Sequence, residues 1–137
     1  MGLFNGFSYH ESELTATQIY LEYGSVLLEG ETVDMALKLE KDKFVFTSLR
    51  LFIVRHCKSE KFEFLSVPYA SIRKFLTIGK SIEDSAAELS IYIHGDEQPI
   101  KKVINNREIV NQVYKTLSQR VFGQTSLTRE IAVVKMN

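Results

Sequence analysis

Lys41-Asp-Lys-Phe-Val-Phe-Thr-Ser-Leu-Arg-Leu-Phe-Ile-Val54 is the stretch of this chain that decides its fold. Phe44-Val-Phe46 and Leu51-Phe-Ile-Val54 are short runs of aromatic and β-branched residues, which favour strands over helices. Thr47-Ser48 separates the two runs with turn-forming residues, and Arg50 follows just beyond the turn. The pattern therefore predicts a β-hairpin.

Seven strand-like runs follow one another between residues 33 and 105, and the hairpin supplies two of them. In the first run apolar and polar residues alternate with a period of two, which is typical of a strand with one buried face. Pro68 ends the fourth run, because proline donates no backbone hydrogen bond. The predicted strands are Val33–Glu40, Phe44–Thr47, Arg50–His56, Lys61–Val67, Ile72–Ile78, Glu88–His94 and Ile100–Asn105, with a loop over Gly79–Ser85.

Two amphipathic helices flank the strands. Before them, Thr15-Ala-Thr-Gln18 has the spacing of a capping box, and Gly30 is predicted to end the helix. After them, Asn105-Asn-Arg-Glu108 places an asparagine cap three residues ahead of a glutamate, and Gly123 is predicted to end the second helix. The predicted apolar faces are Ile19, Tyr23, Val26 and Leu27 in the first helix, and Val110, Val113, Tyr114, Leu117 and Val121 in the second.

This order of elements predicts a mainly β fold with helices. We expect a seven-stranded antiparallel split barrel or sandwich, capped by the C-terminal α-helix, with an additional N-terminal helix. The apolar stripe of the C-terminal helix has to be buried, and the end of a twisted sheet can bury it. We expect one domain over residues 1–137, divided into an arm and helix (1–30), a β-barrel (33–105), a capping helix (106–122) and a tail (123–137).

Composition excludes several classes of protein. The chain has 17 basic and 17 acidic residues, so no overall field attracts it to nucleic acid or to an anionic membrane. Its single cysteine, Cys57, cannot form an internal disulfide and fits a reducing compartment. The N-terminus lacks the pattern of a secretory signal, and no apolar run approaches the roughly 20 residues of a membrane-spanning helix. The sequence predicts a cytoplasmic protein.

Residues that could carry chemistry do not form a catalytic pattern. His56 and Cys57 are neighbours at the end of a predicted strand, and if the extended conformation continues their side chains point to opposite faces and cannot act as a base and nucleophile. The histidines lack metal-ligand spacing, and Glu83-Asp84 is expected to be a solvated loop pair. The basic doublets Arg73-Lys74 and Lys101-Lys102 do not form a stacking platform for nucleic acid. We therefore predict no enzymatic activity, no cofactor, no metal and no nucleic-acid partner.

Many residues resemble the bacterial pleckstrin-homology-like domains over residues 2 to about 122. The matching segments are Gly2-Leu3-Phe4, Gly30-Glu31, Leu37-Lys38-Leu39, Asp42-Lys-Phe-Val-Phe-Thr47, Arg50-Leu51, Leu65-Ser-Val-Pro-Tyr69, Ser71-Ile72 and Glu88-Leu89 leading to Ile93. The resemblance implies a barrel of two nearly orthogonal sheets with a capping helix. It also implies a stand-alone cytosolic protein that forms a ring-like homo-oligomer and carries no enzymatic activity.

The resemblance also raises binding of an anionic lipid, since some pleckstrin-homology domains bind phosphoinositides through basic residues on their first two strands. The candidate residues at matching positions are Lys38, Lys41, Lys43 and Arg50. Two acidic residues, Glu40 and Asp42, alternate with the lysines and reduce the local charge, so the attraction is expected to be weak. For Arg50 we favour a structural role, in which it binds neighbouring carbonyls or a carboxylate and fixes the hairpin.

The leading functional hypothesis is a non-enzymatic binding or scaffold module that assembles into a homo-oligomer. The apolar residues of the arm, the first helix and the tail lie outside the minimal barrel, and such surfaces mark interfaces. Intramolecular docking of the first helix onto a sheet is the equal alternative. A peptide that adds as a strand to an open edge is a further mode of partner capture. The alternative function is peripheral binding of anionic membrane lipid through the Lys38–Lys43 hairpin region.

Overall fold

The computed structural model describes residues 11–79 and 86–123. The predicted aromatic arm, most of the Gly79–Ser85 loop with its Glu83-Asp84 pair, and the apolar tail lie outside the described residues. The strands are β1 (Glu11–Leu14), β2 (Val33–Leu39), β3 (Asp42–Thr47), β4 (Arg50–His56), β5 (Phe62–Pro68), β6 (Ile72–Gly79), β7 (Ala87–Ile93) and β8 (Ile100–Ile104). The helices are α1 (Ala16–Tyr23) and α2 (Arg107–Ser118).

The seven predicted strands are confirmed as β2–β8, but the predicted number is wrong by one. β1 adds an eighth strand, which pairs antiparallel with β2 from Glu11 opposite Leu39 to Leu14 opposite Ala36. Its four residues show no alternation of apolar and polar side chains that could have indicated a strand. The pairing with β2, and not local sequence, makes this segment a strand.

The strands form two antiparallel sheets. The five-stranded sheet has the order β1-β2-β3-β4-β5, and the three-stranded sheet has the order β6-β7-β8. A single 3₁₀ turn, Tyr69–Ser71, connects them. All consecutive strands within a sheet are neighbours, which is the arrangement that the short predicted connections favour.

The main core lies between the inner faces of the two sheets and α2. The predicted capping role of α2 is confirmed by Val110, Val113 and Leu117, which are buried in the same cluster as the inner residues of both sheets. Tyr114 differs from the prediction, because it is half exposed at the margin of the stripe and meets the ring of Phe75 edge-on at 5.3 Å. Ile109, which lies one turn before Val113 on the same helical face, is buried although it was not part of the predicted stripe.

Both ends of α2 differ slightly from the prediction. The cap is Asn106 and not Asn105, because the side chain of Asn106 accepts a hydrogen bond from the Ile109 N–H at 3.2 Å. The α-helix ends at Ser118 and continues as a π-helical turn over Gln119–Gly123. Arg120 in this turn donates two hydrogen bonds to Asp34 of β2, at 2.6 and 2.7 Å, and so ties the end of the helix to the five-stranded sheet.

The first helix covers the outer face of the five-stranded sheet. Its predicted capping box is confirmed, since the Thr15 side chain accepts from the Gln18 N–H and the Gln18 side chain accepts from the Thr15 N–H. Ile19 is buried in a second apolar cluster with Ala36, Val45, Phe52 and Val54. Intramolecular docking is therefore the role that the structure shows for α1.

The same helix ends earlier than predicted. It stops at Tyr23 and not at Gly30, because Gly24 has a low helix propensity and the chain continues in turns. Gly30 lies in one of these turns with a φ of 83°, a conformation that glycine adopts without strain. Neither described helix is long and apolar enough to cross a membrane.

Candidate functional site

The four predicted anionic-ligand residues lie at two ends of the β2–β3–β4 hairpins. Lys38 and Lys43 are opposite each other in the β2–β3 ladder, and Lys41 is exposed in the turn that joins these strands. Arg50 begins β4 at the opposite end of β3, where the β3–β4 turn lies. The structure therefore brings the three lysines near one turn and places Arg50 elsewhere.

Arg50 is held in a network with Glu31. It donates from Nε to Oε2 and from Nη2 to Oε1 of Glu31, both at 2.9 Å. The Thr47 hydroxyl donates to Oε2 at 2.6 Å, and the Leu28 N–H donates to Oε1 at 2.9 Å. The Glu31 side chain is completely buried, so these donors replace the water that its carboxylate loses.

The same arginine also connects three other parts of the fold. Its Nη1 donates to the Ser66 hydroxyl at 2.9 Å, its Nη2 donates to the Val26 carbonyl at 3.1 Å, and its guanidinium lies 5.3 Å from the centre of the Phe52 ring. Arg50 was expected to bind neighbouring carbonyls or a carboxylate, and in the structure its side chain binds the Glu31 carboxylate and one carbonyl, that of Val26. Sequence reasoning missed Glu31 as the carboxylate, although Gly30-Glu31 was among the segments that carried the family resemblance.

Hydrogen bonds have a larger effect than burial on the pKa of Glu31. Burial alone would raise the pKa of its carboxyl group, but the hydrogen bonds from Arg50, Thr47 and the Leu28 N–H outweigh burial and hold the pKa below its usual value. Nearby, the Tyr69 hydroxyl donates to the Thr47 carbonyl at 2.7 Å, and burial raises the pKa of Tyr69 far above the ordinary tyrosine value. The carboxylate is thus ionised and fully bonded, which suits a structural role and not proton transfer.

The lowered pKa of Glu31 predicts a loss of stability in acid. A carboxyl group whose folded pKa lies below its unfolded pKa stabilises the protein above the unfolded value, about 4.3, and loses this effect as the pH falls through the folded value. We expect the free energy of urea unfolding to fall steeply below about pH 5. Glu31→Gln should be less stable near neutrality but less sensitive to acid.

The matched control for this pH dependence is Glu22→Gln. The pKa of Glu22 is also lowered, mainly by its hydrogen bond with Lys43, but its side chain is half exposed and contributes less. Glu22→Gln should keep most of the slope of the wild-type protein. An unfolding free energy of Glu31→Gln that falls in acid as steeply as that of the wild type would contradict the assignment.

Lys43 is also engaged within the chain. Its ammonium group donates to Glu22 Oε2 at 2.8 Å and to the Tyr23 hydroxyl at 3.0 Å, so it links β3 to α1. Burial would lower the pKa of Lys43, but these hydrogen bonds outweigh it and raise the pKa. Lys38 and Lys41 have no carboxylate partner among the described residues. Of the four candidate cations, two are therefore bound to carboxylates of the chain.

A cavity of about 670 Å³ opens at the end of the barrel between the β2–β3 and β7–β8 turns. Lys102 of β8 connects to the β2–β3 turn region, since its ammonium group lies 2.8 Å from Asp42 and 3.4 Å from Glu40. Arg55 on the opposite wall pairs with Glu63 at 3.1 Å. Lys101 also lines the cavity and has no ion-pair partner among the described residues, but the three cations of the lining are matched in number by the carboxylates of Asp42, Asp96 and Glu97, so the cavity offers little net charge to an anion.

The other candidate reactive groups lie at or just beyond the ends of strands. His56 is the last residue of β4. Cys57 follows it with an exposed free thiol, and the backbone N–H of Cys57 donates to the Lys61 carbonyl. His94 lies after β7, where its N–H donates to the Ser71 carbonyl. Within residues 11–79 and 86–123, no group of three His, Cys, Asp or Glu side chains could hold a metal ion.

An aromatic strip lies on the outer face of the five-stranded sheet, and we define it as Tyr23, Phe52, Phe62 and Phe64. Phe64 is its centre, with its ring 6.0 Å from Tyr23, 5.4 Å from Phe52 and 5.3 Å from Phe62. Phe62 is 60% exposed and Phe64 is 45% exposed. Both lie on β5, the last strand of the sheet, so the strip extends the cluster under α1 to an open edge.

A shallow cavity of about 350 Å³ adjoins the strip. Its lining is mainly apolar and aromatic, with one cation, one carboxylate and one histidine: Glu22, Tyr23, Lys43, Val54, His56, Phe62 and Phe64. The alternation of β5 was predicted, with Phe62 and Phe64 on the same face. The sequence did not show that this face would be left open, because that depends on the position of β5 at the end of the sheet.

Comparison with known proteins gives the family. The family model described as bacterial PH domain matches residues 2–121. The chain belongs to the bacterial PH domain family. It is 36% identical over 121 residues to the uncharacterized protein YjqA of Bacillus subtilis (strain 168), a match that covers 86% of this chain and 97% of YjqA. The predicted family is confirmed.

Solved structures of PH domains from two other bacteria share this fold. A DUF1696 family protein with a pleckstrin-homology domain from Shewanella loihica PV-4 superposes with a TM-score of 0.72 at 25% identity, over 82% of this chain and 98% of that protein. A pleckstrin homology domain from Shewanella amazonensis SB2B gives 0.67 at 27% identity, over 88% and 99%. These names state a fold and a family, and none of them states a ligand or a reaction.

Proposed function

We propose that this bacterial PH domain is a non-enzymatic cytoplasmic scaffold that assembles into a ring-like homo-oligomer through the β5 edge. The observation that carries the proposal is the pair of exposed phenylalanines, Phe62 and Phe64, on the last strand of the five-stranded sheet. An exposed apolar edge strand is an aggregation hazard unless another chain covers it. The free thiol of Cys57 supports a reducing compartment.

The backbone of β5 supports the same contact. Among the described strands β5 pairs only with β4, so every second residue of β5 directs its N–H and C=O groups away from the sheet. A strand from a neighbouring copy would satisfy these groups and cover the aromatic strip in one step. Main-chain hydrogen bonds would align the two strands, and burial of Phe62 and Phe64 would stabilise the contact.

A ring requires that the two contacting surfaces of a subunit differ. If β5 paired with β5 of a second copy, the contact would close a two-fold dimer. The other end of the five-stranded sheet, β1, offers a different edge, and it carries the exposed acidic residue Glu13. The loop before β5 carries the exposed basic residues Lys58 and Lys61. We propose β5 against β1 of the next subunit, a head-to-tail contact that can close into a ring.

Replacement of Phe62 and Phe64, the two exposed phenylalanines of the aromatic strip, tests the proposal. We expect Phe62→Glu plus Phe64→Glu to reduce the molar mass measured by light scattering after size exclusion to the monomer value of 15.7 kDa, because two buried charges oppose the contact. The matched control is Leu21→Glu, since Leu21 is 82% exposed on α1. Circular dichroism should show folded protein for both variants. An unchanged molar mass of the double variant would contradict the proposal.

The alternative function, binding of anionic membrane lipid through the Lys38–Lys43 region, stays a prediction. Lys43 is bound to Glu22, and Lys102 bridges Glu40 and Asp42 beside the same turn, so Lys38 and Lys41 are the cations there that have no carboxylate partner within residues 11–79 and 86–123. Sedimentation with vesicles that contain phosphatidylserine tests it. Lys38→Glu plus Lys41→Glu should abolish any binding that depends on this region, and it leaves the Lys43–Glu22 ion pair in place.

A further inference from the structure

The outer face of the three-stranded sheet differs from that of the five-stranded sheet, because α2 packs on its inner side and α1 does not cover it. The ladder registers show which side chains share this outer face. Tyr92 lies opposite Lys74, Ser90 lies between Leu76 and Lys101, and Glu88 lies between Ile78 and Val103. Ser90 at the centre of this face is buried by its neighbours, whereas Lys74, Ile78, Lys101 and Val103 around it are exposed, so the face has its own pattern of charged and apolar residues.

The cations of this face are gathered at one end. An irregularity in the β6–β7 ladder between Ile72 and Lys74 leaves Arg73 unpaired, so both cations of β6 reach the same ring. The Arg73 guanidinium lies 5.5 Å and the Lys74 ammonium 4.6 Å from the centre of the Tyr92 ring. Lys101 on β8 adds a third positive charge to this end.

These cations are not neutralised by the chain itself. Arg73, Lys74 and Lys101 form no ion pair within the described residues, whereas every ion pair found there involves other cations. Asp96 and Glu97 of the adjacent β7–β8 turn line the cavity at the barrel opening, which Lys101 also borders, but neither carboxylate forms an ion pair with Lys101. In a chain with no net charge, this end of the face is a local positive surface.

Aliphatic side chains occupy the other end of the same face. Ile78 on β6 is 55% exposed and Val103 on β8 is 44% exposed, and Leu76 lies between them and the cations. Along β6 the outward positions therefore change from charged to apolar at intervals of two residues: Lys74, Leu76, Ile78. This interval is the spacing of side chains along one face of a paired strand.

The unpaired edge of β6 indicates which kind of partner could bind there. Among the described strands β6 pairs only with β7, so its second edge can accept a further strand. We propose that this edge binds an extended segment of a partner protein, with carboxylates opposite Lys74 and apolar side chains opposite Leu76 and Ile78. Opposite charges and apolar pairs that face each other across a ladder stabilise it, so this pattern complements the face.

A lipid surface fits these observations less well. It cannot use the unpaired backbone groups of β6, and the aliphatic residues lie flat within strands and not on a loop that could enter a bilayer. Stacking of Arg73 and Lys74 on Tyr92 also holds the cations close to the sheet. A strand with alternate acidic residues can reach them there.

Fluorescence anisotropy with a synthetic peptide tests the inference. The probe is a labelled peptide in which every second residue faces the β6 side chains. These positions are two glutamates followed by two valines, and threonine occupies the positions between them. A second peptide with the reversed sequence is measured in parallel. We expect one orientation to bind and the peptide with lysine in place of glutamate not to bind. Lys74→Glu plus Lys101→Glu should weaken binding by at least about tenfold, because attraction becomes repulsion.

The controls separate this site from the rest of the surface. Lys115→Glu reverses the charge of an exposed lysine on α2 that takes no part in either proposed contact, and it should leave the affinity unchanged. The Phe62→Glu plus Phe64→Glu variant should still bind, so the result does not depend on assembly through β5. The inference is overturned if neither peptide binds, if Lys74→Glu plus Lys101→Glu binds equally well, or if these lysines mediate only sedimentation with phosphatidylserine vesicles.

Discussion

Replacement of Glu31 by glutamine is expected to destabilise the protein by roughly 3 to 5 kcal/mol, the usual effect of removing one partner from a buried ion pair. The variant keeps the size of the side chain but loses the charge that compensates Arg50. It also leaves the donors of Thr47 and Leu28 with a poorer acceptor. Urea unfolding at one fixed protein concentration measures the difference, because the proposed assembly would make stability depend on protein concentration.

The control for this prediction is Glu29→Gln, an exposed glutamate two residues earlier in the same turn. A surface change of this kind should alter the unfolding free energy by less than about 0.5 kcal/mol. A double-mutant cycle with Arg50→Met then isolates the coupling between the two residues. If Glu31→Gln were as stable as the control, the assignment would be contradicted. The network would then not hold together the β3–β4 hairpin, the turn that precedes β2, and strand β5.

Replacement of Leu117 by alanine is expected to cost about 3 kcal/mol, as for other fully buried leucines. Leu117 is completely buried between α2 and both sheets, so the truncated side chain leaves a cavity where the helix closes the barrel. Leu21→Ala, at an exposed position of α1, should have little effect on the unfolding free energy. A small effect of Leu117→Ala would show that α2 does not close the core, and the described packing would be wrong.

Local sequence was sufficient for most of the fold. The β3–β4 hairpin was predicted because aromatic and β-branched runs flank Thr47-Ser48, and the Thr47 hydroxyl indeed accepts from the N–H groups of Leu49 and Arg50. The stripe of α2 was predicted because residues spaced by three and four share a helical face. Tyr114 was misplaced because periodicity gives the direction of a side chain but not where the buried region ends.

Features that depend on distant residues were not predicted. β1 exists because it pairs with β2, and its own four residues do not indicate a strand. Glu31 was not identified as the partner of Arg50, because the two residues are 19 positions apart and no periodicity relates them. The exposure of Phe62 and Phe64 follows from the place of β5 in the sheet, which is a property of the topology and not of the segment.

The central claim is self-assembly through the β5 edge, and the molar mass of the wild-type protein tests it most directly. Sedimentation equilibrium across the micromolar range should give an integral multiple of 15.7 kDa, above a dimer if the contact is head to tail. A mass of 15.7 kDa at every concentration would contradict the account, because the aromatic strip would then remain open in the native protein.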